Sequence, residues 1–185
     1  MGTVKRRQVK LTRRVRQQIW RLLRVFVILL GLFIGLRLLS WALSPVVKCY
    51  SVRSDAMAPT LTRGDRLIAY HLAYRNKSPQ RGDIVLLNAP HQSPKMVFVK
   101  RIIAVGGDQV LITDGKVYVN DLDIPISEPY IENPPNYEFP ADGKSFVVPE
   151  GHVFVLGDNR NNSNDSHLFG PVAEKDVVGK VIAIF

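Results

Sequence analysis

The chain is 185 residues long, enough for one domain with a real core plus an appendage and too short for two full domains. Its formal charge is +9, yet residues 1–48 hold 11 Lys or Arg and no acidic residue, while residues 49–185 hold 14 basic against 16 acidic side chains. The basicity is therefore an N-terminal feature of a chain whose body is mildly acidic, and the single cysteine, Cys49, excludes an intrachain disulfide, a Cys-rich zinc site and a CxxC redox pair.

The basic arm, residues 1–24, carries Lys5, Arg6, Arg7, Lys10, Arg13, Arg14, Arg16, Arg21 and Arg24 and runs directly into VFVILLGLFIGLRLLSWAL, Val25 to Leu43. An arm that reads nucleic acid would lead into a polar or helical module. This one leads into an apolar stretch long enough to cross a hydrocarbon core as a helix, so the expected partner is a lipid bilayer and not nucleic acid. Arg37 lies toward the far end of the stretch, where a long side chain can snorkel to the headgroups, and Trp20 and Trp41 bracket it as interfacial aromatics. The positive-inside rule keeps the N-terminus cytoplasmic or stromal and sends residues 44–185 across. The rival is a cleavable signal peptide, with an apolar core of about 7–15 residues and a small-x-small site. Ala42-Leu43-Ser44 has that form, but Pro45 follows it and the apolar core is longer, so the reading is an uncleaved anchor.

Beyond the anchor, short β-branched and aromatic runs are broken by Gly, Pro, Asn and Asp, with no sustained 3.6-residue period. The fold class is mainly β. Strands are predicted at Arg66 to Tyr70, Asp83 to Asn88, Val97 to Val105, Gln109 to Thr113, Lys116 to Val119, Ser145 to Val148, His152 to Leu156 and Val177 to Ile184. Asp114-Gly115 reads as a hairpin turn. Val46 to Val52 is a further strand candidate, with an apolar membrane-facing surface, although the linker and domain boundary are placed at Ser44 to Cys49. Asn120 to Gly143 contains Pro125, Pro129, Pro134, Pro135 and Pro140, so it is neither a regular helix nor a central strand and is expected as an excursion over the β core.

Three segments combine polar residues with tight turns. The first is Ser54-Asp55-Ala56-Met57-Ala58-Pro59-Thr60-Leu61 with Arg63-Gly64-Asp65. The second, Phe98-Val99-Lys100-Arg101 through Asp108, sets a lysine inside an apolar run. Burial penalises an ammonium ion and lowers its pKa, as a lysine general base requires. The bland alternative is that Lys100 or Arg101 projects from a solvent face; alternation puts the two on opposite faces, so one of them turns inward or edgeward. The third, Gly157-Asp158-Asn159-Arg160-Asn161-Asn162-Ser163-Asn164-Asp165-Ser166-His167, would by itself pass for a surface loop.

Taken together, SDAMAPTL..GD, VKRIIAVGGD and GDNRNNSNDSH behind an N-terminal anchor resemble the sequence boxes of type I signal peptidases, membrane-bound Ser/Lys endopeptidases with a shared β-fold. The resemblance runs from the anchor to the C-terminus, and His167 is more like the cyanobacterial and thylakoidal members. It implies cleavage of exported preproteins after a small-x-small (Ala-x-Ala) motif, with the signal peptides as partners and the catalytic domain on the periplasmic or thylakoid-lumen side. It implies Lys100 as general base, Ser54 in the oxyanion hole, Ser163 orienting Lys100 and Asp165 supporting that arrangement. Shallow pockets for small substrate side chains would be lined by Tyr50, Val52, Met57, Leu61, Leu67, Phe98 and Val99. No metal or cofactor is expected.

One position departs from the pattern: the family's box reads Ser-x-Ser-Met-x-Pro-Thr-Leu, and the second serine, the nucleophile, is Ala56 here. A methyl group cannot attack a carbonyl, so the chain is expected to be inactive. It is either a one-residue inactivation of an otherwise intact enzyme or a natural, non-catalytic signal-peptide-binding membrane protein. Ser54 is a poor substitute nucleophile, since two residues along a strand displace an atom by about 6–7 Å. Arg53 and Asp55 also stand where the family usually has uncharged or small residues, and they put the local pocket shape in question. A self-cleaving Ser/Lys repressor would need a DNA-binding helix-turn-helix ahead of the β domain, where this chain has an anchor.

Overall fold

The protein was studied as a computed structural model that describes residues 2–43, 46–90 and 96–185 and, within the first helix, the side chains of residues 15–41. Two compact units result, residues 1–45 and 46–185.

The first unit is one helix, α1, Gly2–Leu43. No proline interrupts its sequence, and its apolar portion is rich in leucine. Its stretch Val15–Trp41 is long and apolar enough to cross a membrane. The helix passes through residues 24 and 25 without a break, so the limit between basic arm and apolar span is one of composition only. Ser44 and Pro45, on which the rival cleavage site depends, lie outside the described residues.

The second unit is mainly β, as expected. A seven-stranded sheet has the order β1 (Val47–Ser51), β2 (Arg66–Tyr70), β10 (Val177–Ile184), β3 (Ile84–Asn88), β4 (Val97–Val105), β8 (His152–Leu156) and β9 (Val172–Ala173). Every neighbouring pair is antiparallel. A three-stranded sheet has the order β6 (Lys116–Val119), β5 (Gln109–Thr113), β7 (Phe146–Val147). The expected linker at Ser44 to Cys49 is corrected: Val47, Lys48 and Cys49 pair with Tyr70, Ala69 and Ile68 as part of β1.

Local chemistry accounts for several of these elements. Asp114 and Gly115 both have positive φ, 50° and 71°, and the strands they join are in register Thr113↔Lys116, the geometry of a two-residue hairpin with primed twist. In β2, Leu67 and Ala69 are buried and Arg66 is exposed, the alternation of a half-buried strand. In β4 the alternation fails: Ile102, Ile103 and Ala104 are all buried. A register shift between Ile102 and Ala104 explains this, because the strand turns from one core to another at the bulge. Val85, Ile102, Val153 and Val155 form one core, and Ile103, Ala104, Ile112, Val117 and Phe154 form the second. A third core gathers Val52, Met57, Leu61, Leu67, Ala69 and Leu86.

The Pro-rich stretch between β6 and β7 holds no helix or named strand. It is fastened to the second core by Ile126, Tyr137 and Phe139, with Ile112 and Phe139 exchanging backbone hydrogen bonds at 2.7 and 3.0 Å.

Candidate active site

Residues 52–65 form a loop that closes on itself. The Val52 amide donates to the Asp65 carbonyl at 2.9 Å and the Gly64 amide to the Val52 carbonyl at 3.0 Å. Asp55 accepts from the Arg63 amide at 2.9 Å, so this charged side chain serves the loop's own closure. Met57 and Leu61, both buried, are the apolar plugs that seat the loop on the third core. Ala56 lies between these fixed points.

The loop that follows β8 docks against this segment. The Asn159 amide donates to the Ala56 carbonyl at 3.2 Å and Asn159 Nδ2 to the Asp55 carbonyl at 3.0 Å, while Thr60 Oγ1 donates to Asp158 at 2.6 Å. Gly157 is the point of closest approach. A Cβ there would sit 2.2 Å from Ser163 Oγ and 2.3 Å from the Ala56 carbonyl oxygen, so only glycine lets the two come together.

Lys100 is 3 % exposed, and its Nζ donates to Ser163 Oγ at 2.6 Å. Its partner across the sheet is Val85 and the Phe98 ring lies 5.6 Å from the ammonium, an apolar setting. Burial pushes its pKa down to about 8, against an opposing electrostatic pull from Asp165 and then Asp158. Asp165 is fully buried: it accepts from the Gly157 amide at 3.0 Å and lies 2.5 Å from His167 Nδ1. A carboxylate can only accept, so that ring nitrogen carries the proton. Ser166, also buried, accepts the Val155 amide at 2.9 Å through Oγ.

The structure thus brings Ala56, Lys100, Ser163 and Asp165 into one neighbourhood. Ser54 lies in the bend ahead of Ala56 and is exposed. Of the residues expected to line substrate pockets, Val52, Met57, Leu61 and Leu67 are buried in the third core, with Tyr50 and Val99 packed against it. Phe98 belongs with the first core instead. A separate cleft of about 450 Å³ is lined by Asp83, Arg101, Lys180 and the end of β10, and Lys100 does not line it. Among the described residues no group of His, Cys, Asp and Glu is arranged to hold a metal ion.

Sequence reasoning passed over a set of residues behind the site. Arg101 pairs with Asp158 through two hydrogen bonds, 2.8 and 2.6 Å, and Arg160, fully buried, pairs with Glu128. Asp158 and Arg160 belong to the recognised GDNR motif and were within reach. Glu128, Tyr130 and Tyr137 gave no signal, because their neighbours are set by the path of an irregular segment.

Residues 19–185 match the family described as signal peptidase, peptidase S26. The chain is 40 % identical over 140 residues to a probable signal peptidase I of Synechocystis, covering 72 % of this chain and 68 % of that protein. It is 36 % identical over 146 residues to the signal peptidase I of Leptolyngbya laminosa, covering 76 % and 69 %. With the chloroplastic thylakoidal processing peptidase 1 of Arabidopsis thaliana it shares 41 % over 141 residues, 71 % of this chain but 40 % of the longer protein. A crystal structure of a signal peptidase I from Enterococcus faecalis superposes with a TM-score of 0.49 at 33 % identity, over 58 % of this chain and 98 % of that one.

Proposed function

The chain belongs to the signal peptidase family, peptidase S26, and from that premise we propose that it is the framework of a membrane-anchored Ser/Lys endopeptidase whose nucleophile position carries Ala56. The substrates are signal peptides of exported preproteins, cut after an Ala-x-Ala motif. Residues 1–24 form the basic arm on the cytoplasmic or stromal side and residues 25–43 the anchor. Residues 44–185 form the catalytic domain on the periplasmic or lumenal side.

One observation carries this reading: a buried lysine with a depressed pKa, hydrogen-bonded at 2.6 Å to a serine that, like the carbonyl of residue 56, closes on Gly157. With a serine at 56, neutral Lys100 takes the hydroxyl proton as the oxygen attacks the scissile carbonyl. Ser54 and backbone amides would receive the oxyanion. Collapse of the tetrahedral intermediate breaks the C–N bond, and Lys100 returns the proton to the leaving amine. Water, deprotonated by the same lysine, then attacks the acyl-enzyme; the acyl–oxygen bond breaks and the lysine returns the proton to the serine oxygen. Ser163 and Asp165 hold Lys100 in place throughout. Tyr50, Phe98 and Val99, all half-buried, would shape the floor on which small substrate side chains rest, with Val52, Met57, Leu61 and Leu67 packed as the core beneath.

With Ala56 in place there is no attacking oxygen and the chain is inactive. The second reading, a membrane protein that binds signal peptides without cutting them, is favoured by that one residue. Incubating the Ala56→Ser protein, in detergent or lipid, with a preprotein ending its signal peptide in Ala-x-Ala separates the two. Cleavage supports the endopeptidase framework; a folded protein that binds and leaves the preprotein whole supports the binding role.

A further inference from the structure

Two carboxylates bear electrostatically on Lys100: Asp165 and Asp158. Both are buried, and each is held by a side chain of basic type, Asp165 by His167 and Asp158 by Arg101. Each of those is covered in turn by a tyrosine from the Pro-rich stretch between β6 and β7. Tyr137 lies flat on His167, with ring centroids 3.9 Å apart and planes 14° apart. Tyr130 lies against the Arg101 guanidinium, its ring centroid 3.8 Å from Cζ. On either side of Tyr130 the stretch is pinned to the loop after β8. Glu128 pairs with Arg160 and accepts from the Tyr130 hydroxyl at 2.9 Å, and the Asn161 side chain bonds the Pro134 carbonyl and the Asn136 amide at 2.9 and 2.8 Å.

We propose that Tyr130 and Tyr137 are positioning residues of the hydrolytic site, each acting through a basic side chain, Arg101 or His167, on an aspartate that acts on Lys100. The inference rests on the reading of Lys100 as the base. A flat stack confines the imidazole to the plane in which Nδ1–H meets Asp165. If the ring is freed, Asp165 is less well compensated and holds the Lys100 proton more firmly, so less neutral amine is present at a given pH. The ring, not the hydroxyl, is the working part of Tyr137, since its buried Oη has no protein hydrogen-bond partner among the described residues. The charged groups acting on Tyr137 are Asp165, Arg160 and Glu128, and those on Tyr130 are Glu128, Arg160 and Arg101, so each tyrosine lies in the field of both signs of charge. A cation–π or stacking contact of this kind constrains geometry at little cost in net charge.

The test uses the full chain with Ala56 retained, in detergent, and follows the Lys100 side chain by NMR titration after lysine-selective labelling, with Lys100→Met assigning the signal. Tyr137→Leu should raise the Lys100 midpoint by about 0.5–1 pH unit, a three- to tenfold loss of neutral amine at pH 7. Tyr137→Phe keeps the stack and should leave the midpoint where it is. His167→Gln should reproduce the Tyr137→Leu shift, and the two combined should shift Lys100 no further than His167→Gln alone. A folded Tyr137→Leu protein with an unmoved Lys100, or shifts that simply add, overturns the proposal. If Tyr137→Leu does not fold, Tyr130→Leu is read in its place, through Arg101 and Asp158, and an unmoved midpoint there has the same force. None of these readings depends on peptide cleavage, so a failed Ala56→Ser assay strikes the proposed function and leaves this result to be judged by itself.

Discussion

The guanidinium of Arg160 is held by the carboxylate of Glu128, thirty-two residues earlier in the chain, and the two side chains are 0 % and 7 % exposed. An arginine this deep inside a protein is tolerable only because its charge is matched where it lies. Glu128→Ala should therefore destabilise the protein by about 3–5 kcal/mol, through the uncompensated cation it leaves. The double variant Glu128→Leu/Arg160→Met should recover most of that loss in urea unfolding. Equal stability of Glu128→Ala and the parent would show the pair to be inconsequential.

Restoring the missing oxygen should restore the chemistry. Ala56→Ser is expected to cleave an Ala-x-Ala preprotein, and adding Lys100→Met should return it to background, a loss on the order of a millionfold for a nucleophile and base that work as one unit. Lys100→Met in the present Ala56 chain should cost no further activity. Product formation followed by gel or mass spectrometry reads all three, and chelators should leave it unchanged.

The rate of the Ala56→Ser protein should rise with pH through a midpoint near 8, since only the deprotonated lysine accepts a proton. Asp165 opposes the burial effect by favouring the ammonium ion. Asp165→Asn should thus move the Lys100 midpoint below about 8, even as loss of the contact to Gly157 lowers the maximal rate. A midpoint that moves upward contradicts the electrostatic account.

The same depressed pKa has a stability signature. The folded lysine titrates near 8 and an ordinary lysine near 10.5, so between those values the unfolded chain binds the extra proton. Stability must then rise as pH increases from about 8 to 10.5, and below about 8 the burial penalty is fully present. Lys100→Met should remove that dependence and stabilise the protein at pH 7 by up to about 3 kcal/mol, less the lost bond to Ser163. Denaturant midpoints measured across pH 7–11 check both statements.

Gly157→Ala should be among the most damaging single-methyl changes, because its Cβ would meet Ser163 Oγ and the Ala56 carbonyl oxygen well inside contact distance. In the Ala56→Ser background the expected result is a folded but destabilised protein with little activity. Full activity would mean that the two segments can part without consequence.

Much of the architecture was legible because it follows from alternation and turn chemistry. Arg66–Tyr70 alternates with one face buried, His152–Leu156 is an apolar run buried on both faces, and Asp114-Gly115 supplies the two positive φ angles that a short hairpin needs. The two-residue strand Val172–Ala173 is too short to carry a period. Of the site, Lys100 and Ser163 stood out as polar residues in motif-bearing segments, and the structure sets them 2.6 Å apart. The side chains behind them could not be inferred. Burial of an arginine such as Arg160 runs against its composition, and Tyr130 and Tyr137 find Arg101 and His167 only through the path of a segment with no regular period.

The position of β10 carries a consequence for how the two parts of the site are held together. Among the described residues, β1 and β2 are joined to β3, β4, β8 and β9 by hydrogen bonds only through β10, residues 177–184. The loop bearing Ala56 hangs between β1 and β2, and Lys100 lies on β4, so the strands that carry the two parts of the site are bridged within the sheet by β10. This bridging strand is the last of the ten described strands in chain order. Removing residues 177–184 should therefore leave β1 and β2 without a strand-to-strand bridge to the rest of the sheet.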